Sequence, residues 1–264
     1  TFKDMDFERD YLKNFVLPRL NNELLQYNIL VELCDLRSGI AKKFASEQEQ
    51  EEFILQSCFS AIKTTYPYFI ALLGERYGWV PPKHSLENLK QLFGSFGVET
   101  LSVEDKSVTE LEILLGALNK NVSNKGIICF RTEKSYENMP DDIRKLYIED
   151  KNRQKLANLK NEIKAKYEQL GIDDKLIEYE LEWVGDKFLK LDEWGDKVYD
   201  VLKSQIIDDI GPVVDMRSST HRIMDSFVFS NIYKSIDNRT NWTEKVTHGL
   251  IREYNKLIFA GIEG

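Results

Sequence analysis

Three short apolar segments, separated by stretches with helical spacing, are the feature that most constrains the fold. They are Ile29–Cys34, Tyr66–Leu73 and Lys125–Arg131, and polar or glycine-bearing residues follow each of them. Runs of this length, rich in β-branched and aromatic residues, are typical of strands buried on both faces. Between the first two, Ser46 is placed to cap a helix that continues to about Thr64. We therefore predict an α/β fold: a flavodoxin-like parallel sheet with helices on both faces.

The chain beyond the third strand has a different character. Residues 135–211 are rich in charged residues, and apolar side chains recur there at helical spacing, as at Leu156, Leu159 and Ile163. We predict a helical insertion or appendage that packs on an α/β domain of residues 1–134. Residues 212–264 are predicted to be a linker and the first strand of a further domain.

The last residues favour the start of a phosphate-binding loop. An apolar stretch, Leu257–Ala260, leads directly into Gly261 and Gly264. Glycines let backbone N–H groups close around phosphate oxygens, and Gly261 fits the first glycine of a G-x-x-x-x-G-K-[ST] motif. ATP and Mg²⁺ are therefore expected only in an NTPase domain that continues beyond this sequence. The alternative is an ordinary strand-to-loop turn that contains two glycines.

Charge and composition argue against several classes of function. Lys and Arg number 36 and Asp and Glu 44, so the formal charge is −8, which disfavours nucleic acid as a partner and argues against a nuclease. No apolar run approaches the roughly 20 residues that cross a bilayer. Cysteines and histidines lack the spacing of disulfides or metal ligands, so we predict a reduced, cytoplasmic protein and no metal site; they are Cys34, Cys58, Cys129, His84, His221 and His248.

Four segments in this order carry a family resemblance: Thr1–Asp10 (TFKDMDFERD), Asp35–Ile40 (DLRSGI), Pro67–Trp79 (PYFIALLGERYGW) and Ser107–Glu112 (SVTELE). Together they resemble the N-terminal TIR-like domain of unknown function found in STAND or NACHT NTPases, including nephrocystin, telomerase-associated and bacterial antiphage STAND proteins. The resemblance extends over the helical part and nearly the whole chain. It implies an N-terminal effector module of an intracellular STAND NTPase in immune or antiphage signalling.

The sequence departs from that family pattern in two places. The family usually has a strand that ends in two serines before Thr1, so its central strand is expected outside this sequence. Ser38 stands where a tryptophan commonly follows Asp-Leu-Arg, which changes the expected shape of that loop.

In a doubly wound sheet, ligands bind beyond the carboxyl ends of the strands. The residues expected there are Asp35, Arg37, Arg76, Tyr77 and the start of the helix near Ser107. That helix, with Ser107, Thr109, Glu110 and Glu112, is similar to the glutamate-bearing helix of TIR NADases and nucleoside deoxyribosyltransferases. The resemblance implies NAD⁺ as substrate and Glu112 as the catalytic carboxylate, with the other residues of this set binding the substrate.

Less specific interpretations stand beside each of these assignments. Glu110 and Glu112 are also what a solvated helix start carries, because acidic groups complement the helix dipole. Arg37 and Arg76 fit a diphosphate, but arginines more often pair with protein carboxylates. Glu8 and Arg9 are interpreted as part of a salt-bridge and capping set. Two functions therefore compete: an NAD⁺ glycohydrolase activated when the STAND region forms a homo-oligomer in response to a trigger protein, and a non-enzymatic module for homotypic interaction.

Overall fold

The centre of the molecule is a parallel sheet. The structure, a computed structural model, describes residues 4–27, 29–35, 46–83, 85, 94, 104–118, 125–215 and 257–261. In these residues the sheet has five strands in the order β1-β7-β2-β3-β4, and every neighbouring pair is parallel. The strands are β1 (Val31–Asp35), β2 (Phe69–Leu73), β3 (Gly126–Arg131), β4 (Leu176–Tyr179) and β7 (Leu257–Gly261). The predicted α/β fold class is confirmed.

Seven α-helices surround this sheet in the described residues: α1 (Asp6–Tyr11), α2 (Leu17–Leu24), α3 (Glu47–Thr65), α4 (Val108–Ile113), α5 (Asp141–Tyr147), α6 (Arg153–Leu170) and α7 (Leu191–Asp215). A π-helical turn joins α1 to α2, and a second one, Leu114–Leu118, continues α4. None of these helices combines the length and apolar character needed to cross a bilayer.

Serine caps fix two of the helix starts. The Ser46 hydroxyl accepts a hydrogen bond from the Glu49 amide at 3.2 Å, and α3 begins at the next residue, as predicted. Ser107 caps α4 in the same way through the Glu110 amide, also at 3.2 Å. In both places a side-chain oxygen satisfies an amide that has no partner within the helix.

Each face of the sheet carries its own hydrophobic core. In β3, Ile128 and Phe130 pack with α3, α4 and α6, whereas Ile127 and Cys129 pack with α1, α2 and α7. This alternation follows the two-residue period of a strand, and both sets are buried. Helices therefore cover both faces, which is why the strands are continuously apolar in sequence.

The predicted helical appendage contains helices α5, α6 and α7, but it also contributes strands. β4 extends the main sheet beside β3, and an antiparallel hairpin, β5 (Glu182–Val184) with β6 (Lys187–Leu189), follows it. The segment predicted as a helical insertion or appendage therefore also contains strands. The division into domains at residues 134 and 211 stays a prediction.

β7 lies inside the sheet, between the edge strand β1 and the middle strand β2. Its last residue, Gly261, lies opposite Asp35 on β1 and Ile70 on β2. A strand was predicted here, and it forms an interior strand of the sheet; the central strand expected from the segment before Thr1 stays a prediction. Gly264 lies outside the described residues, and the phosphate-binding loop stays a prediction.

Candidate functional site

Three of the residues predicted for the site lie at or just beyond the carboxyl ends of β1 and β2. Asp35 is the last residue of β1, and Arg76 and Tyr77 follow β2. The start of α4 is fixed against the β2 loop, because the Val108 amide donates to the Trp79 carbonyl at 2.9 Å. The sheet topology thus brings the β2 loop and α4 together as expected. Arg37 lies outside the described residues.

Tyr77 and Glu110 form the best-connected part of this site. The Tyr77 hydroxyl donates to Oε2 of Glu110, and the Lys106 ammonium pairs with Oε1 of the same carboxylate. The Ser107 amide donates to the Tyr77 hydroxyl at 3.4 Å. Tyr77 is 2% exposed and Glu110 7% exposed. Each oxygen of the Glu110 carboxylate therefore has a partner. These contacts hold the first turn of α4 against the β2 loop.

The electrostatics of this cluster keep Tyr77 protonated. Burial raises the pKa of the Tyr77 phenol well above its usual value, and the hydrogen bond to Glu110 and the charge of Glu110 raise the pKa further. At neutral pH the phenol is a permanent donor to the carboxylate. Since its ring is buried, Tyr77 offers no face on which a nucleobase could stack.

Glu112 is buried more deeply than Glu110, at 1% exposure. It lies two residues further along α4, about 200° around the helix axis. All six residues of α4 are buried, so neither glutamate is a solvated helix-start charge. Thr109, on the same helix, is 8% exposed, and its hydroxyl has no hydrogen-bond partner among the described residues. α4 therefore carries two buried carboxylates and one buried hydroxyl at the carboxyl end of the sheet.

Asp35 and Arg76 make contacts within the protein. Asp35 pairs with Arg9 at 3.3 Å, with both side chains largely buried. Nη1 of Arg76 donates to the Leu146 carbonyl at 2.8 Å. Arg76 therefore has a structural contact, but its partner is a backbone carbonyl and not the carboxylate that was expected.

A second charged cluster, at the ends of β3 and β4, escaped the sequence-based prediction. Arg131 ends β3, and its Nη1 pairs with Oε1 of Glu8 at 2.6 Å, with both side chains fully buried. The Tyr179 hydroxyl, at the end of β4, donates to the same Glu8 oxygen at 2.9 Å. Arg131 also donates to the Tyr136 hydroxyl at 2.9 Å and to the Asp4 carbonyl. This cluster anchors the N-terminal segment to the sheet.

Glu8 and Arg9 thus form salt bridges, as predicted, but their partners are distant in sequence. Glu8 pairs with Arg131 across 123 residues, and Arg9 with Asp35 across 26. Helical spacing says nothing about such partners. The signal that was present is the charged Glu8-Arg9 pair inside a segment that also carries the family resemblance.

The family model described as "Domain of unknown function (DUF4062)" matches residues 1–181. The chain belongs to this family. The DUF4062 match includes β1 to β4, the α4 glutamates and the Glu8–Arg131 pair, so both charged clusters lie inside it.

Curated relatives match over short stretches of long proteins. Telomerase protein component 1 of Mus musculus is 30% identical over 145 residues, which is 53% of this chain and 5% of that protein. A TPR repeat-containing protein of Dictyostelium discoideum is 26% identical over 171 residues, 61% of this chain and 10% of that protein. NACHT domain- and WD repeat-containing protein 1 of Mus musculus is 32% identical over 84 residues, 31% of this chain and 5% of that protein. The chain spans a tenth or less of the length of these three relatives. No solved structure matches it.

Proposed function

We propose that this DUF4062 domain is the N-terminal effector module of a larger STAND-type NTPase. The supporting comparison is with a protein whose name includes a NACHT domain, of which the chain covers 5%. The apolar strand that leads into Gly261 adds support from the sequence, because NTPase phosphate loops begin in that way. In this proposal the ATPase domain follows Gly264, and its oligomerisation after contact with a trigger protein activates the module in intracellular immune or antiphage signalling.

The proposed activity of the module is cleavage of the nicotinamide–ribose bond of NAD⁺ by water, which yields nicotinamide and ADP-ribose. The observation that carries it is the burial of Glu112, at 1% exposure, in a helix whose start is fixed at the carboxyl end of the sheet. Cleavage develops positive charge on the ribose ring, and a carboxylate stabilises that charge or traps it as a nucleophile. A site that excludes water strengthens this interaction.

The neighbouring residues divide the remaining tasks in this proposal. Glu110, bound by Tyr77 and Lys106, holds the start of α4 in place and does not act on the substrate. The Thr109 hydroxyl, which has no partner in the described structure, hydrogen-bonds a ribose hydroxyl. Asp35 and Arg76 have partners within the protein, so either side chain would have to give up its present partner in order to contact the substrate.

A specific observation also favours the second function, a non-enzymatic module for homotypic interaction. Three of the predicted substrate-binding groups are held in contacts within the protein: Glu110, Asp35 and Arg76. Such contacts suit a rigid scaffold as well as an active site. On this view, assembly brings copies of the α/β domain together without any turnover.

The test is NAD⁺ consumption by the full-length, assembled protein. Glu112→Gln keeps the shape of the side chain and removes its charge, so we expect turnover to fall by about 10²-fold or more while the melting temperature changes little. Glu162→Gln is the matched control, because Glu162 is exposed on α6. Assembly without NAD⁺ loss would favour the interaction module. Undiminished turnover in Glu112→Gln would remove Glu112 from the mechanism.

A further inference from the structure

A cavity of about 220 Å³ lies at the opposite end of the sheet from the charged clusters. It is bounded by the last turn of α3, the residues that enter β2 and the π-helical turn after α4. We propose that this cavity binds a small aromatic carboxylate. The proposal is independent of NAD⁺ cleavage, since no residue of the α4 carboxylate cluster lines the cavity.

The walls of the cavity are apolar. Ile62, Phe69 and Leu115 are among its lining residues, and each is at most 5% exposed. An apolar cavity of about 150 Å³ in a protein core stays dry and binds benzene. A volume of about 220 Å³ therefore suits a flat molecule of one or two fused rings.

The helix that forms one wall has an uncommon geometry at the cavity. Residues Leu114–Leu118 form a π-helical turn, and such turns occur frequently at functional sites. Within it, a Cβ added at Gly116 would lie 2.8 Å from the Phe69 ring, so the close approach of helix and strand depends on glycine. Helix and strand therefore pack closely along this wall of the cavity.

The mouth of the cavity carries a positive charge. Lys63 lies in the last turn of α3, is exposed, and forms no ion pair with any residue in the described ranges. The hydroxyl of the lining residue Tyr68 donates to Asp209, whose carboxylate also pairs with Lys125, and the charge of Asp208 acts on Tyr68 as well. An ammonium beside an apolar chamber selects a ligand with an apolar body and an anionic end.

Two naphthalene probes test the proposal by calorimetric titration of the full-length protein. The anion 2-naphthoate and its neutral relative 2-naphthamide share a ring system and differ in charge. We expect both to bind and 2-naphthoate to bind about fivefold more tightly, because a partly exposed ion pair contributes up to about 1 kcal/mol. Lys63→Met should abolish that difference, whereas Lys134→Met, a change at an exposed lysine on the 3₁₀ turn after β3, should preserve it.

A second variant tests the chamber itself. Ile62→Trp fills the cavity, so we expect it to weaken both probes by about tenfold or more. Lys63 is exposed, so Lys63→Met should fold even if Ile62→Trp does not. The comparison of the two probes in Lys63→Met therefore still tests whether the Lys63 charge contributes to binding. The absence of 2-naphthoate binding at millimolar concentration, or unchanged binding in Lys63→Met, would overturn the proposal. The proposal would also be overturned if neither probe bound and the protein formed a dimer that Ile62→Trp dissociates. That result would assign the cavity to contact with a second copy of the chain.

Discussion

Replacing Glu8 by glutamine should remove a large part of the free energy of unfolding. The Glu8 carboxylate is fully buried, lies 2.6 Å from the Arg131 guanidinium and accepts a further bond from Tyr179 at 2.9 Å. Glutamine fits the same space but carries no charge, so the Arg131 cation would remain in the core without its counter-ion. Breaking a buried ion pair at one partner costs about 3–5 kcal/mol.

The expected size within that range follows from the bonds that survive. Arg131 and Tyr179 both donate to Oε1 of Glu8, so a glutamine carbonyl oxygen in that position can still accept from both, and Arg131 retains its bonds to Tyr136 and the Asp4 carbonyl. We therefore expect the lower end, about 3 kcal/mol. Since folded domains have free energies of unfolding of about 5–15 kcal/mol, the loss would be conspicuous in a urea titration followed by circular dichroism at pH 7.

The chain offers a matched control in an exposed pair of the same residue types. Arg153 and Glu133 lie 2.8 Å apart with side chains 58% and 59% exposed, so Glu133→Gln should cost less than about 1 kcal/mol. The double variant Glu8→Gln with Arg131→Met should cost less than the sum of the single changes, because neither charge is then left alone. A Glu8→Gln loss within about 0.5 kcal/mol of the Glu133→Gln loss would refute the assignment of a buried, coupled pair.

Three further predictions follow from burial and hydrogen bonding. Tyr77→Phe should lower the free energy of unfolding by about 1–3 kcal/mol, measured in urea, because Glu110 loses a buried donor. Burial raises the pKa of the Cys129 thiol to about 12, so Ellman's reagent should modify Cys129 only after unfolding; modification in the folded state at pH 8 would contradict this. Stability should fall as pH rises above about 10, because the unfolded chain then loses phenolic protons that the folded chain keeps; urea midpoints that hold constant to pH 11 would disprove it. The tyrosines whose pKa burial raises most are Tyr68, Tyr77, Tyr136, Tyr167 and Tyr179.

The central strands could be predicted from sequence because both their faces are buried. The segment 125–131 was predicted as a strand and forms β3 as Gly126–Arg131, all six residues of which are buried. β4 was missed, since Ile177 and Tyr179 are buried while Leu176 is only partly buried and Glu178 is exposed. In a four-residue strand between charged residues, buried and exposed side chains alternate over too few positions to be distinguished from the surrounding helical pattern.

The candidate site was predictable in its position but not in its bonding. Strand order and the Ser107 cap brought Tyr77 to the start of α4, as topology requires. Which glutamate faces Tyr77 depends on the rotation of α4, and the structure selects Glu110 for that contact. The Glu8–Arg131 pair joins residues 123 apart, and no local pattern encodes such a contact.

We propose that Glu112 reacts with the substrate, while Glu110 only holds the start of α4 in place. Single-turnover release of nicotinamide from NAD⁺ by the assembled full-length protein tests it directly, with Glu110→Gln and Glu112→Gln compared per folded molecule. We expect Glu110→Gln to unfold at lower urea concentration but to retain turnover within about tenfold, and Glu112→Gln to lose about 10²-fold or more. Full turnover in Glu112→Gln, together with loss of turnover in Glu110→Gln, would contradict these roles of the two glutamates.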